Sequence, residues 1–148
     1  MKEKELVHSI HYYFMAVLRL RQNLKQRVQR KLIDLGYEDI TLEMTQVLYY
    51  LHFDAEGEAN QQEIADNIGK NKSSLTSLID NLSKREMIKR NINPKNRRNN
   101  IITLTKKGKK FMEEFLPVVY KTYNTSKLSM TLKDINNLTQ TLNSFIEI

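Results

Sequence analysis

Residues 61–82 read QQEIADNIGKNKSSLTSLIDNL, and no other stretch of the chain limits its fold so sharply. Ile64, Ile68, Leu75 and Leu78 fall where two short helices would cross on their apolar faces. Ala65 is small where the second helix must come close, and Gly69 follows four residues later, where the chain turns sharply and a left-handed residue costs least. Asn60 and Glu63 form a capping-box pattern for the helix Gln61 to Ile68, and Asn71 can cap the next one, reaching about Arg85. Together these features read as a helix-turn-helix; the plainer alternative is an ordinary helix pair.

The periodicity then changes. Ile88, Arg90 and Ile92 alternate with period two, as do Ile102 and Leu104. Between them Asn93-Pro94-Lys95-Asn96-Arg97-Arg98-Asn99-Asn100 is polar and turn-rich, so the pair reads as a hairpin with a basic tip. The flanks are helical. Leu6, Ile10, Phe14, Val17, Leu24, Val28 and Leu32 recur at helical spacing in one long helix ending near Gly36. Ile10, Val17 and Leu24 lie seven apart, a stripe that needs a partner, of which a second copy of the chain is the simplest. Thr41 can cap a helix through about Phe53 with Met44, Val47, Leu48 and Leu51 inward. Another helix starts after Thr105 and passes Phe111, Phe115, Val118 and Val119, with Pro117 expected to kink or divide it. Thr131 and Asp134 open a last helix along Leu132, Ile135, Leu138, Leu142 and Phe145. The fold expected is mainly α with a small β-hairpin.

Charge gives this layout a direction. The chain of 148 residues carries a formal +7. Between Lys70 and Lys110 stand 13 basic residues and two acidic ones, Asp80 and Glu86, so this segment is +11 and the remainder −4. A concentrated basic stretch is the footprint of a polyanion binder, against the alternative of a solvated lysine-rich face. On the helix after Asn71 the face opposite the leucines carries Ser73, Thr76, Ser77, Asp80 and Lys84, with Lys72 at its leading turn. Small hydroxyl side chains let a helix sit deep in a major groove and bond base edges or phosphates. Asp80 belongs at the groove's edge or against an arginine of the protein. A basic hairpin tip can lie over the neighbouring minor groove, with Arg97 or Arg98 inserted. Lys70, Lys89, Arg90 and Lys95 are placed for phosphates. Helix and hairpin gripping adjacent grooves is winged-helix geometry.

The whole chain resembles a MarR-family transcriptional regulator. Leu82-Ser83-Lys84-Arg85-Glu86-Met87-Ile88-Lys89-Arg90 is similar to that family's end of the recognition helix and first wing strand. Asn93-Pro94-Lys95-Asn96-Arg97-Arg98 followed by Ile102-Thr103-Leu104-Thr105-Lys106-Lys107-Gly108 resembles its wing and the start of the next helix. The resemblance implies one domain over 1–148, a winged helix-turn-helix at 41–108, and helical dimerisation segments at 1–35 and 110–148. It implies a homodimer on a pseudo-palindromic operator in double-stranded DNA. It further implies repression, less often activation, commonly relieved by a small aromatic or anionic effector in a cleft between the lobes. By the same likeness Arg98 matches the minor-groove wing arginine, and Lys72, Ser73, Thr76 and Ser77 match the recognition-helix contacts. Two positions depart from the family pattern. Asn96 stands where an aspartate commonly orients the wing arginine, and Glu86 where glycine usually ends the helix, at a cost of up to about 1 kcal/mol if the turn is left-handed.

Other chemistries find little here. The absence of cysteine excludes disulfides, thiolate catalysis and Cys-ligated metal. His8 and His11 share a helix face at a spacing acceptable for a metal, but no cysteine or acidic cluster completes a site, and neither a metal nor a cofactor is expected. Tyr12, Tyr13, Tyr49, Tyr50, Tyr120 and Tyr123 could line an aromatic effector cleft or simply pack half-buried; His11, Tyr12 and Tyr49 are the effector candidates taken forward. Four dispersed glycines make no phosphate loop, and no catalytic constellation emerges, so an enzyme is not expected. No run of about 18 apolar residues is present, and the first residues do not read as a signal peptide, so a cytoplasmic protein without membrane contact is expected. Two rival functions stay open: a winged-helix protein-interaction module, and a non-specific architectural DNA binder.

Overall fold

A computed structural model describes residues 2–96, 98–122 and 128–147. Helix α1 (Lys2–Asp34) leads into α2 (Leu42–Tyr49), which continues as a π-helical turn, Tyr50–Asp54. Strand β1 (Glu58–Asn60), α3 (Gln61–Ile68), α4 (Lys72–Lys84), β2 (Ile88–Asn91) and β3 (Ile101–Leu104) follow. Helices α5 (Lys106–Thr122) and α6 (Leu132–Ile146) complete the order.

The helix starts follow local chemistry. Thr41 Oγ1 accepts from Met44 N (3.3 Å), Asn60 Oδ1 from Glu63 N (2.8 Å), Asn71 Oδ1 from Ser74 N (2.8 Å) and Thr131 Oγ1 from Asp134 N (3.2 Å). Each of these side chains satisfies an amide that the first helical turn leaves without a partner. Gly69, at φ +68°, ends α3 in the left-handed region, and the amides of Gly69 and Lys70 both return to Ala65 O. Of the residues expected to face inward, Met44, Val47, Leu48, Leu51, Ile64 and Leu75 are buried while Ile68 and Leu78 are half-buried against the core; Ile79 and Leu82 of α4 and Phe111, Met112 and Phe115 of α5 close it.

Four details depart from the sequence reading. The second helix does not stay α-helical to Phe53; from Tyr50 it widens, and Ala55 N donates to Tyr50 O at 3.1 Å, five residues back. The hairpin is two strands of a three-stranded antiparallel sheet ordered β1-β3-β2, because Glu58–Asn60 adds against Thr103–Ile101. Ile92 falls outside β2 and is 72% exposed. Pro117 does not divide α5, which runs unbroken to Thr122. The carbonyl deprived of a donor belongs to Glu113, an exposed position where water can serve it.

The two terminal helices contribute little to this core. Val28 and Leu32 are the only buried residues of α1, and α6 buries none. They meet through Tyr13, whose ring stacks on Phe145 at 4.8 Å, and Phe14, edge-on to Phe145 at 6.2 Å.

Candidate nucleic-acid interface

Helix α4 rests on the core through Leu75, Ile79 and Leu82, which turns Lys72, Ser73, Ser77 and Lys84 to solvent. Lys70, at the turn before it, is half-buried. Thr76 has a different employment. Its hydroxyl donates to Lys72 O (2.8 Å) and accepts from Gln61 Nε2 (3.0 Å), so it ties α4 to the start of α3 and keeps a single lone pair for anything else. Asp80 takes the second of the two places expected for it: its Oδ1 pairs with Nη2 of Arg90 on β2. The pair joins helix to strand across a solvent-exposed edge. It also leaves the rest of the Arg90 guanidinium free to donate to a phosphate.

The basic tip of the wing is organised by asparagines. Asn93 Oδ1 accepts from Lys95 N (3.0 Å), and Asn96 Oδ1 accepts from Arg98 N (3.1 Å). Asn96 therefore shapes the turn through the Arg98 backbone, the role open to an uncharged amide. At the far side of the tip, Asn99 Oδ1 accepts from Gln62 N (3.0 Å) and Asn100 O from Gln61 N (2.9 Å). These bonds anchor the wing on the first turn of α3, whose amides point outward for want of helical partners. Asn99, Asn100 and Gln61 are interface-positioning residues that sequence reasoning missed. The Asn99–Gln62 bond spans 37 positions, and no local pattern signals it.

The result brings two distant cations to one recess. A cavity of about 230 Å³ between wing and helix-turn-helix is fronted by Lys72 of α4 and Arg98 of the wing, with Gln61 and Asn96 between. Lys89, Arg90 and Lys95 are exposed along the same strand and tip. Arg97, the other wing arginine singled out in the sequence, lies outside the described residues.

The junction behind the interface is tight. Glu86 adopts φ +59°, the left-handed turn for which glycine is the ordinary choice. Thr105 closes on it: its hydroxyl donates to Glu86 O (2.6 Å) and its amide to Met87 O (3.1 Å), while Gly108 N donates back to Thr105 Oγ1 (3.1 Å). Gly108 itself is buried, and a Cβ there would stand 2.3 Å from Met87 O.

A second concavity, about 520 Å³, opens between the end of α2, the π-helical turn, the end of α3 and α5. Tyr49 and Tyr50 line it, with Phe115 and Val119 from α5. Of the three effector candidates only Tyr49 is there. His11 and Tyr12 stand exposed on α1, their rings 5.9 Å apart. Tyr120 is 74% exposed, and Tyr123 lies outside the described residues. Among the described residues no group of three or more His, Asp or Glu gathers to hold a metal ion, and no helix is long and apolar enough to cross a membrane.

Residues 41–99 match the profile of the MarR family. Among solved structures, the S. aureus MepR–DNA complex superimposes with a TM-score of 0.76 at 22% identity, covering 91% of this chain and 96% of that one. Reduced AbfR bound to DNA gives 0.77 at 21% identity, covering 99% of both chains. An organohalide-sensing transcriptional regulator in its 2,4-dichlorophenol-bound form gives 0.76 at 18% identity, covering 91% of this chain and 78% of that one. No curated protein sequence matches this chain significantly.

Proposed function

We propose that this chain, whose residues 41–99 match the MarR family model, is a DNA-binding transcriptional regulator of that kind, two copies together binding a pseudo-palindromic operator and repressing transcription from it. One observation carries the proposal. Lys72 and Arg98, 26 positions apart, front a single recess between an exposed polar helix face and a basic hairpin tip. In this reading Ser73 and Ser77 read the major groove, and Arg98 enters the minor groove. Lys70, Lys72, Lys89, Arg90 and Lys95 neutralise phosphates, with Arg97 adding to the wing's charge. Thr76 serves from behind, holding α4 to α3. The solved DNA complexes of MepR and AbfR support this use of a like fold.

Pairing would run through the exposed apolar faces of α1 and α6 and set half-sites about 34–36 Å apart. The cleft at Tyr49 and Tyr50 would take the effector; a regulator of like fold has been solved in a 2,4-dichlorophenol-bound form. Titration of a labelled upstream duplex at two salt concentrations tests the proposal. Six to ten phosphate contacts would lower affinity by about a thousandfold or more between roughly 50 and 200 mM salt, and Arg98→Ala by about tenfold. A flat salt response sinks the reading. Equal affinity for random and upstream duplex makes the chain an architectural binder instead.

A further inference from the structure

Taking the cleft as the effector site proposed above, we infer that the ligand it selects is a lipophilic aromatic cation. The walls supply two complementary features. Tyr49, Tyr50 and Phe115 line it with aromatic rings, and among the described residues the single ionisable lining side chain besides the tyrosines is Asp54, at the end of the π-helical turn. Among the described residues no lysine, arginine or histidine lines the cleft, although the chain as a whole carries +7. Among the described residues Asp54 makes no ion pair. The buried Thr45 hydroxyl is already committed to Leu42 O at 2.6 Å, so it donates nothing to an anion.

An anionic aromatic entering here would meet the Asp54 carboxylate with no basic side chain among the described residues to offset it. A cation of the same size would be attracted by that carboxylate while its apolar surface packs against the lining rings. The contrast with the adjoining groove is direct. That groove, about 450 Å³, shares Leu42, Gln46 and Ile68 with the cleft but brings Arg21 and Lys70 beside Glu43. Basic side chains thus stand in the adjoining groove, while among the described residues the cleft itself holds none.

Calorimetric titration of the full chain without DNA tests the ligand class. The probe is tetraphenylphosphonium; triphenylphosphine oxide is the neutral comparator of similar shape, and 2-naphthoate the anionic one. Saturable binding of one tetraphenylphosphonium per protomer is expected, at least about tenfold tighter than either comparator. Asp54→Asn, an exposed and nearly isosteric change, is expected to weaken the cation about tenfold and to leave triphenylphosphine oxide and the thermal midpoint unmoved. A comparator that binds as tightly, or an Asp54→Asn variant with undiminished affinity for the cation, overturns the inference. Release of labelled duplex by the same cation is measured separately. Asp54-dependent binding without release upholds the ligand class and removes the regulatory reading of the cleft; failure of the cation to bind at all removes the ligand class while leaving the DNA titration to stand by its own result.

Discussion

The winged helix-turn-helix and the terminal helices carry the same kind of amphipathic pattern and treat it differently. Among the described residues, every buried apolar one lies between Val28 and Phe115. Within that span the stripes expected of α2, α3 and α4 are covered by one another, by the sheet and by α5. Outside it, Leu6, Phe14 and Val17 of α1 and Leu132, Leu138 and Phe145 of α6 recur at helical spacing and remain exposed, at 61%, 49%, 38%, 75%, 50% and 40%. A buried stripe explains itself through the chain's own fold. An exposed one of this length asks for a second surface, and a soluble helix does not keep such a face in water for nothing. One half of the molecule is therefore specified by intramolecular packing and the other by pairing, as proposed above.

Breaking the first half calls for the largest effect. Gly108→Ala places a methyl 2.3 Å from Met87 O and 2.6 Å from Leu104 Cδ1. The nearer atom is backbone, fixed by its bond from Thr105 N at 3.1 Å, so it cannot swing aside as a side chain would. A loss of about 3 kcal/mol in denaturant unfolding is expected. Stability within about 0.5 kcal/mol of the parent would show that the start of α5 can slide away from the α4–β2 junction.

The second half breaks differently. Leu138, near the middle of α6, is 50% exposed, so Leu138→Glu should leave the single chain folded. In a two-fold pairing the substitution counts twice. Burying a leucine contributes about 2 kcal/mol on each side, so the dimer should weaken a hundredfold or more. Sedimentation across protein concentrations reads this directly. A parent that stays monomeric at all concentrations, or a variant that pairs as well as the parent, would remove these helices from the interface.

The same contrast sorts what could be read from sequence. Thr41, Asn60, Asn71 and Thr131 were legible because a cap and its amide lie three residues apart, and Gly69 because a left-handed turn has a residue preference of its own. Glu86 was legible as a departure, and it does take positive φ. Asp80 was half legible: an acid on a helix meant for DNA needs an arginine, but only the hairpin's docking selects Arg90. The rest depends on partners distant in the chain. Three residues of β1 are too few to alternate, and their pairing with β3 spans some 40 positions. Thr76 looked like a base reader until Gln61 claimed it. The cleft draws on α2, α3 and α5 together, which no local pattern announces, and so Tyr49 was assigned alongside His11 and Tyr12, which the fold sends elsewhere. Pro117 does not divide α5 because the carbonyl it leaves without a donor, that of Glu113, is at an exposed position, and local sequence does not reveal that.

The smallest effect probes the seam between the two halves. Tyr37, just past α1, sets its ring edge-on to Phe111 at 4.8 Å and donates its hydroxyl to Glu114 Oε2 at 2.7 Å. Burial, and then the bond and charge of Glu114, raise the hydroxyl above the ordinary tyrosine value. The folded chain thus holds the proton more tightly than the unfolded one. The resulting stability is fully present below about pH 10 and is lost as pH rises through the raised value. Tyr37→Phe keeps the ring and removes the bond, at an expected cost of about 0.5 kcal/mol, less than for a buried bond to a carboxylate because solvent screens the pair. The decisive measurement is the pH profile of unfolding. Above pH 10 the parent should lose stability faster than the variant, so the two curves converge. If they stay parallel, the hydroxyl contributes nothing specific, and α1 is held to α5 by ring packing and the buried Val28 and Leu32 alone.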